Sequence, residues 1–284
     1  MRSCHGLQQR GSFATKARVK PTNSDAPPVA PSGRPGRVRL DQALVDRGLC
    51  ESRTRAQREI LAGQVRVNGQ PADKPGTTVR PTDAISLTAP EKYVSRGGLK
   101  LEHALRHFAL EVRGVTAVDL GASTGGFTDC LLQHGAARVY AVDVGSGQLA
   151  WKLRQDPRVV VLERTNARNL TPEQMPAPFT PADLVVVDCS FISLQKILPA
   201  AVALLRPGGR IAALIKPQFE AGKTEADRGG GVIRDPAIHS RVLQELRQFA
   251  EGLPGMNWLG HTESPLLGPA GNREFFAALE KIIP

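Results

Sequence analysis

The sequence predicts an α/β protein: a mostly parallel, doubly wound sheet with a smaller α+β module ahead of it. Three observations carry this. From about Tyr93 onward, short β-branched-rich runs alternate with helical stretches, a rhythm that gives parallel strands with helices on both faces. Before it, residues 38–90 order as helix, helix and short strands. A glycine-rich turn, Gly121-Ala122-Ser123-Thr124-Gly125-Gly126, directly follows the first apolar run of the larger part, where such sheets bind ligands.

The chain has 284 residues, 41% hydrophobic and 23% charged, the balance of an ordinary globular protein with a buried core. No apolar run approaches the ~18 residues of a membrane helix, so no membrane partner is expected. Cys4, Cys50, Cys130 and Cys189 show no CxxC spacing. Neither a disulfide framework nor a metal site is expected, and a reducing, cytoplasmic setting follows. The formal net charge is +10, unevenly spread: eight Lys/Arg and one acid in residues 1–39, ten and seven in 40–100, nineteen of each in 101–284. A polyanion docking at the amino-terminal end is the electrostatic expectation.

Element by element, residues 1–36 are rich in Pro, Ser, Gly and Arg without periodicity, and read as a disordered basic tail. In residues 37–92, Leu40, Ala43, Leu44 and Leu49 mark one helix face, with Gly48 as its stop. Ser52 is the expected N-cap of a second helix, with Ala56, Ile60 and Leu61 inward and Gly63 at its end. Val65–Val67 alternates as a strand, and Asn68-Gly69 is a hairpin turn. Arg53, Arg55, Arg58 and Arg66 gather around the second helix and the hairpin, with Arg39 and Lys74 nearby.

In residues 93–284 the expected strands are 117–120, 139–142, 159–162, 184–187 and 210–215. The expected helices are 100–110, 127–134, 149–153, 194–205 and 239–253.

Two constellations carry chemistry. The first is Asp119-Leu120-Gly121-Ala122-Ser123-Thr124-Gly125-Gly126-Phe127, with Ala141-Val142-Asp143 ending the next strand. Glycines let a backbone approach a ligand, and an acid at that strand end can accept both hydroxyls of a nucleoside ribose. The loop lacks the Gly-x-Gly-x-x-Gly of a dinucleotide site and the Lys of a triphosphate loop. Gly-x-Ser-x-Gly also mimics a hydrolase elbow, but no partnered His and acid follow Ser123. The second is scattered: Lys100 in Ser95-Arg96-Gly97-Gly98-Leu99-Lys100-Leu101, Asp188 after an apolar strand, Lys216 after another, and Glu274 in Asn272-Arg273-Glu274-Phe275.

Together these stretches resemble the FtsJ-type ribose methyltransferases, and more closely the hemolysin-A-type (TlyA-type) ribosomal RNA 2′-O-methyltransferases. Tyr93 to Leu101 and Leu214-Ile215-Lys216-Pro217-Gln218-Phe219-Glu220 are the most specific pieces. The resemblance covers residues 37–284 and implies an S4-like RNA-binding domain (37–92) joined to a Rossmann-like catalytic domain (93–284). It implies S-adenosylmethionine as cofactor and ribosomal RNA or ribosomal subunits as partner. Lys100, Asp188, Lys216 and Glu274 match a Lys-Asp-Lys-Glu tetrad, with Lys216 as base. Asp119, Gly121, Ser123, Thr124, Gly125, Gly126 and Phe127 match the methionine-side loop. Asp143, followed by Val144, would hold the ribose, and Asn166 would read the adenine edge. Arg53, Arg55, Arg58, Arg66, Arg39 and Lys74 would meet RNA. Residues 222–235 are more acidic and Gly-rich than the family pattern.

The chemistry agrees with that assignment. A ribose 2′-hydroxyl is a poor nucleophile, so a base must take its proton as carbon transfers. Neighbouring cations and burial favour the neutral amine of a lysine. Competing readings are a base methyltransferase, disfavoured because Cys189-Ser190 replaces the usual two prolines, a cytosine carbon-5 enzyme using Cys189, and a membrane-active cytolysin, for which no amphipathic membrane helix is visible.

Overall fold

The computed structural model describes residues 36–88 and 91–282 and divides into two units, residues 1–89 and 90–284. Most of the expected basic tail, residues 1–35, lies outside the described residues.

The first unit runs β1 (Val38–Arg39), α1 (Leu40–Asp46), α2 (Arg53–Leu61), β2 (Val65–Val67), β3 (Gln70–Pro71), β4 (Thr78–Val79) and β5 (Ile85–Leu87). Ser52 caps α2, its Oγ accepting from Arg55 N–H at 3.3 Å. Asn68 and Gly69 take positive φ of 51° and 79°, the left-handed pair that a tight β2–β3 hairpin requires. Leu40, Leu44, Ala56, Ile60, Val65 and Val79 form the core. Two expectations are corrected. Leu49 lies beyond α1 and is exposed, and Leu61, the last residue of α2, is 70% exposed; at a helix end the periodic face has no partner above it. Asp41 is fully buried. It accepts from Arg39 at 3.0 Å, Arg53 at 3.0 Å and Gln57 at 2.9 Å, tying α1 to α2. The Arg39 guanidinium, helped by Gln57 and Arg53, holds this carboxyl well below the usual carboxylate range against the opposing effect of burial.

The second unit runs α3 (Gly97–His107), β6 (Thr116–Leu120), α4 (Gly126–Gln133), β7 (Arg138–Val142), α5 (Trp151–Arg154), β8 (Val159–Leu162), β9 (Ala182–Val187), α6 (Leu198–Ala203) and β10 (Leu205–Ile215). It continues through α7 (Pro217–Glu220), α8 (Lys223–Arg228), α9 (Pro236–Glu251), β11 (Met256–Glu263) and β12 (Phe275–Lys281). The sheet order is β11-β12-β10-β9-β6-β7-β8. The five strands from β8 to β10 are parallel, and β12 is antiparallel to both β10 and β11. Alternate residues feed two cores. Val118, Leu120, Val185, Val187 and Ile211 pack with α6 and α9; Ala117, Val139, Val186 and Leu214 pack with α3 and α4. The chain therefore winds outward from β6 in both directions. The crevice at the carboxyl ends of β6 and β9 is the topological switch point, where open α/β sheets bind ligands.

Candidate active site

A cavity of about 590 Å³ opens at that switch point, within the range of small-molecule sites. One side is formed by the glycine loop. Gly121, Ser123, Thr124, Gly126 and Phe127 all line it. The Ser95–Lys100 segment packs directly on this loop: a Cβ on Gly126 would lie 2.2 Å from Ser95 Oγ, and one on Gly98 would lie 2.3 Å from the Tyr93 ring. Gly126 thus lets this segment meet the start of α4, while Gly98 makes room for the Tyr93 ring.

The four scattered residues converge on this cavity. Lys100 comes from α3, Asp188 follows β9, Lys216 follows β10 as the residue before Pro217 of α7, and Glu274 immediately precedes β12. Lys100 Nζ donates to Glu274 Oε2 at 2.5 Å, and both groups are buried. Lys216 Nζ donates to Ser190 Oγ at 2.7 Å. It also lies 2.7 Å from Asp188 Oδ1 in an ion pair. The residues sit 174 and 28 positions apart in sequence yet form two lysine–carboxylate pairs facing one space.

The other expected cofactor residues stand around the loop. Asp143 ends β7 and accepts from Ser123 N–H at 2.8 Å and Gly145 N–H at 2.7 Å, leaving carboxylate lone pairs for further donors. Gly125 takes φ 96° and has Leu149 and Leu153 where a side chain would be. Val144 is 73% exposed. Asn166 Oδ1 accepts from Arg168 N–H at 3.0 Å, capping a short turn. Asp143, Val144, Gly125 and Asn166 flank the cavity rather than line it. Asp119 lies deeper: it is fully buried and accepts from Thr128 Oγ1 at 2.7 Å. Burial pushes its carboxyl up to about 7; the Thr128 hydroxyl opposes this, and the nearby charges of Asp188 and Asp143 add to it. Its place supports the loop from beneath.

Sequence reasoning passed over several cavity residues: Arg96, Ser190, Phe191, Phe219 and Asn272. Phe191 is 90% exposed with φ of 65°, a costly conformation for an aromatic residue, and its ring centroid is 5.1 Å from that of Phe219. No periodicity marks such a turn residue. Cys189 stays out of the cavity lining. Burial pushes its thiol up to about 12, away from the nucleophilic thiolate.

On the first unit, Arg39, Arg53, Arg55, Arg58, Arg66 and Lys74 are all exposed. Arg39 and Arg53 are braced by Asp41, Arg55 lies 3.4 Å from Glu59, and Arg66 donates to the Gly69 carbonyl at 3.2 Å. No group of metal-ligating side chains occurs among the described residues. Nor is any of their helices long and apolar enough to cross a membrane.

Residues 93–281 match the family described as FtsJ-like methyltransferase, and residues 38–85 match the S4 domain. The chain is 50% identical over 242 residues to the 16S/23S rRNA (cytidine-2'-O)-methyltransferase TlyA of Mycobacterium tuberculosis, covering 84% of this chain and 88% of that one. It is 42% identical to Hemolysin A of Brachyspira hyodysenteriae, covering 84% of this chain and 98% of that one. A solved structure from Streptococcus thermophilus, described as a hemolysin, superposes with a TM-score of 0.65 at 44% identity, covering 88% of this chain and 90% of that one.

Proposed function

Because this chain belongs to the FtsJ-like methyltransferase family and carries an S4 domain ahead of that fold, we propose that it moves a methyl group from S-adenosylmethionine to a ribose 2′-hydroxyl, that of a cytidine in ribosomal RNA. It does so in the cytoplasm, alongside ribosomal subunits. The observation that carries this reading is the pair of lysine–carboxylate contacts, Lys100–Glu274 and Lys216–Asp188, facing one cavity beside the glycine loop. The substrate follows the relative named for cytidine 2′-O-methylation of ribosomal RNA.

The residues present fit the cofactor. The cavity has the size for it, the loop backbone lines one end, and Asp143 keeps lone pairs for two hydroxyls. When bound, the donor supplies a methyl carbon activated by a positively charged sulfur, which leaves as a neutral thioether. The protein's own task is to hold the 2′-oxygen in line and remove its proton. Lys216 Nζ, held by Asp188 and Ser190, is the group placed to take that proton. Lys100, fixed by Glu274, orients the ribose. Phe191 offers an exposed ring for a base drawn out of its stack. The basic face of the first unit supplies phosphate contacts.

The test is incubation of the full chain with labelled S-adenosylmethionine and ribosomal subunits, followed by alkaline hydrolysis. Label in an alkali-resistant dinucleotide marks a blocked 2′-hydroxyl. Label released entirely in mononucleotides would refute ribose methylation.

A further inference from the structure

Behind the Lys100–Glu274 pair lies a set of polar contacts that the reaction above leaves unassigned. Asn272, two residues before Glu274, is only 1% exposed. Its Oδ1 accepts from Ile233 N–H at 2.9 Å, and its Nδ2 donates to the Gly231 carbonyl at 2.8 Å. The Ile233 carbonyl lies 3.1 Å from Nε2 of His239 on α9, which donates there as the Nε2–H tautomer. Both backbone groups of Ile233 are therefore pinned, by buried side chains from two different elements. On its other side, the Asn272 carbonyl accepts from Gly268 N–H at 2.8 Å, and Gly271 N–H closes the same turn onto the Gly268 carbonyl at 2.9 Å. Glu274 Oε1 rests against Gly268, so closely that a Cβ there would lie 2.4 Å away. Gly231, Pro269, Ala270, Asn272 and Glu274 all line the cavity.

One side chain thus joins two stretches of backbone that form the same wall. Gly230 and Gly231 both take positive φ, at 60° and 83°, so the segment they open has little stiffness of its own. Buried amides are retained where their hydrogen bonds are made. Here the bonds are spent on holding a cavity wall.

The geometry points to Asn272 as a positioning residue: its amide fixes the Gly231–Ile233 wall against the turn that seats Glu274, and so sets where the Lys100–Glu274 pair meets the ribose. This rests on the methyl-transfer reading and adds a residue to it. Asn272 touches neither reacting atom; it acts through Glu274. Neither hydrogen bond of the amide goes to the glycine loop, so the expected effect on donor affinity is small.

The experiment is a double-mutant cycle on the full chain, with Asn272→Ala, Glu274→Gln and the pair, reading kcat/KM for ribosomal RNA, donor affinity by calorimetry, and amide exchange at Ile233. Asn272→Ala lowers kcat/KM roughly 10- to 100-fold and changes donor affinity less than about threefold. In the Glu274→Gln background the same change costs no more than about twofold. Ile233 N–H exchanges at least about 100-fold faster. Asn272→Ser, too short to reach both Ile233 and Gly231 but without a buried charge, is read in the same cycle and serves if the alanine variant does not fold. Additive losses in the cycle, or unchanged protection at Ile233, would overturn the assignment while leaving methyl transfer standing. A wild-type chain that methylates no RNA would sink the reading of the site and the role of Asn272 with it.

Discussion

Gly268→Ala is a one-methyl perturbation whose effect can be worked from the coordinates. The added Cβ would stand 2.4 Å from Glu274 Oε1 and 3.1 Å from its Cδ, against an ordinary contact of 3.4 Å. The carboxylate must therefore retreat by about 1 Å, and a displacement of that size near reacting groups costs on the order of 100-fold in rate. Glu274 cannot retreat without disturbing the 2.5 Å contact to Lys100, because both side chains are buried. The loss corresponds to about 2.7 kcal/mol of transition-state stabilisation. The Gly268 N–H bond to the Asn272 carbonyl is a backbone bond and survives the substitution, so the fold stays intact. Methyl transfer to ribosomal subunits under saturating donor reads the effect, with donor affinity as the control. A Gly268→Ala enzyme with wild-type kcat would refute the placement of Glu274 at the reacting centre.

Three further outcomes follow from the same geometry. Lys216→Ala lowers kcat on the order of 10²- to 10⁴-fold while donor binding, measured by calorimetry, persists; undiminished turnover would remove Lys216 as the base. Cys189→Ser keeps activity within about twofold, since its half-buried thiol lies outside the cavity lining and burial pushes it up to about 12; loss of turnover with a covalent RNA adduct would favour carbon-5 chemistry. Asp119 is a carboxyl raised to about 7 in the folded chain, so the folded state holds its proton more tightly than the unfolded state. Its stability contribution is therefore greatest below about pH 4 and declines as pH rises toward 7. Asp119→Asn mimics the protonated form, and its stability advantage over wild type grows across that window toward an upper bound on the order of 4 kcal/mol. Denaturant titrations at pH 4.5 and 8 read the difference, and an advantage independent of pH would contradict the assignment.

The parallel part of the sheet was legible because its strands are largely buried and read as short runs rich in Val, Leu and Ala. The predicted 159–162 coincides with β8, and 184–187 lies inside β9. β11 and β12 were not foreseen. Met256–Glu263 is an edge strand with alternating exposure and polar residues, which lowers its apolar signal. Phe275–Lys281 carries Ala, Leu, Glu and Lys, good helix formers, yet lies as a strand between β10 and β11, so tertiary pairing overrides propensity. The expected helix 194–205 breaks into a turn at Leu194–Lys196 and the short α6, because Pro199 fits only the first turn of a helix.

At the site, Lys100, Asp188, Lys216 and Glu274 could be named from the sequence only as strand-end or helix residues matched to a motif. Their meeting in one cavity depends on strand order, which no local pattern encodes. Phe191 and Asn272 stood inside quoted motifs but were given no role of their own. An exposed aromatic in a strained turn and a buried amide between loops look, in sequence, like any other turn residues.

The central claim is that the acceptor is a sugar oxygen held by the two lysine–carboxylate pairs. The most direct measurement uses ribosomal RNA segments carrying 2′-deoxycytidine at the position mapped by alkaline hydrolysis, compared with unmodified RNA at matched binding. The deoxy substrate is predicted to bind and to take up no methyl group. Methyl incorporation into it at the rate of unmodified RNA would contradict the account.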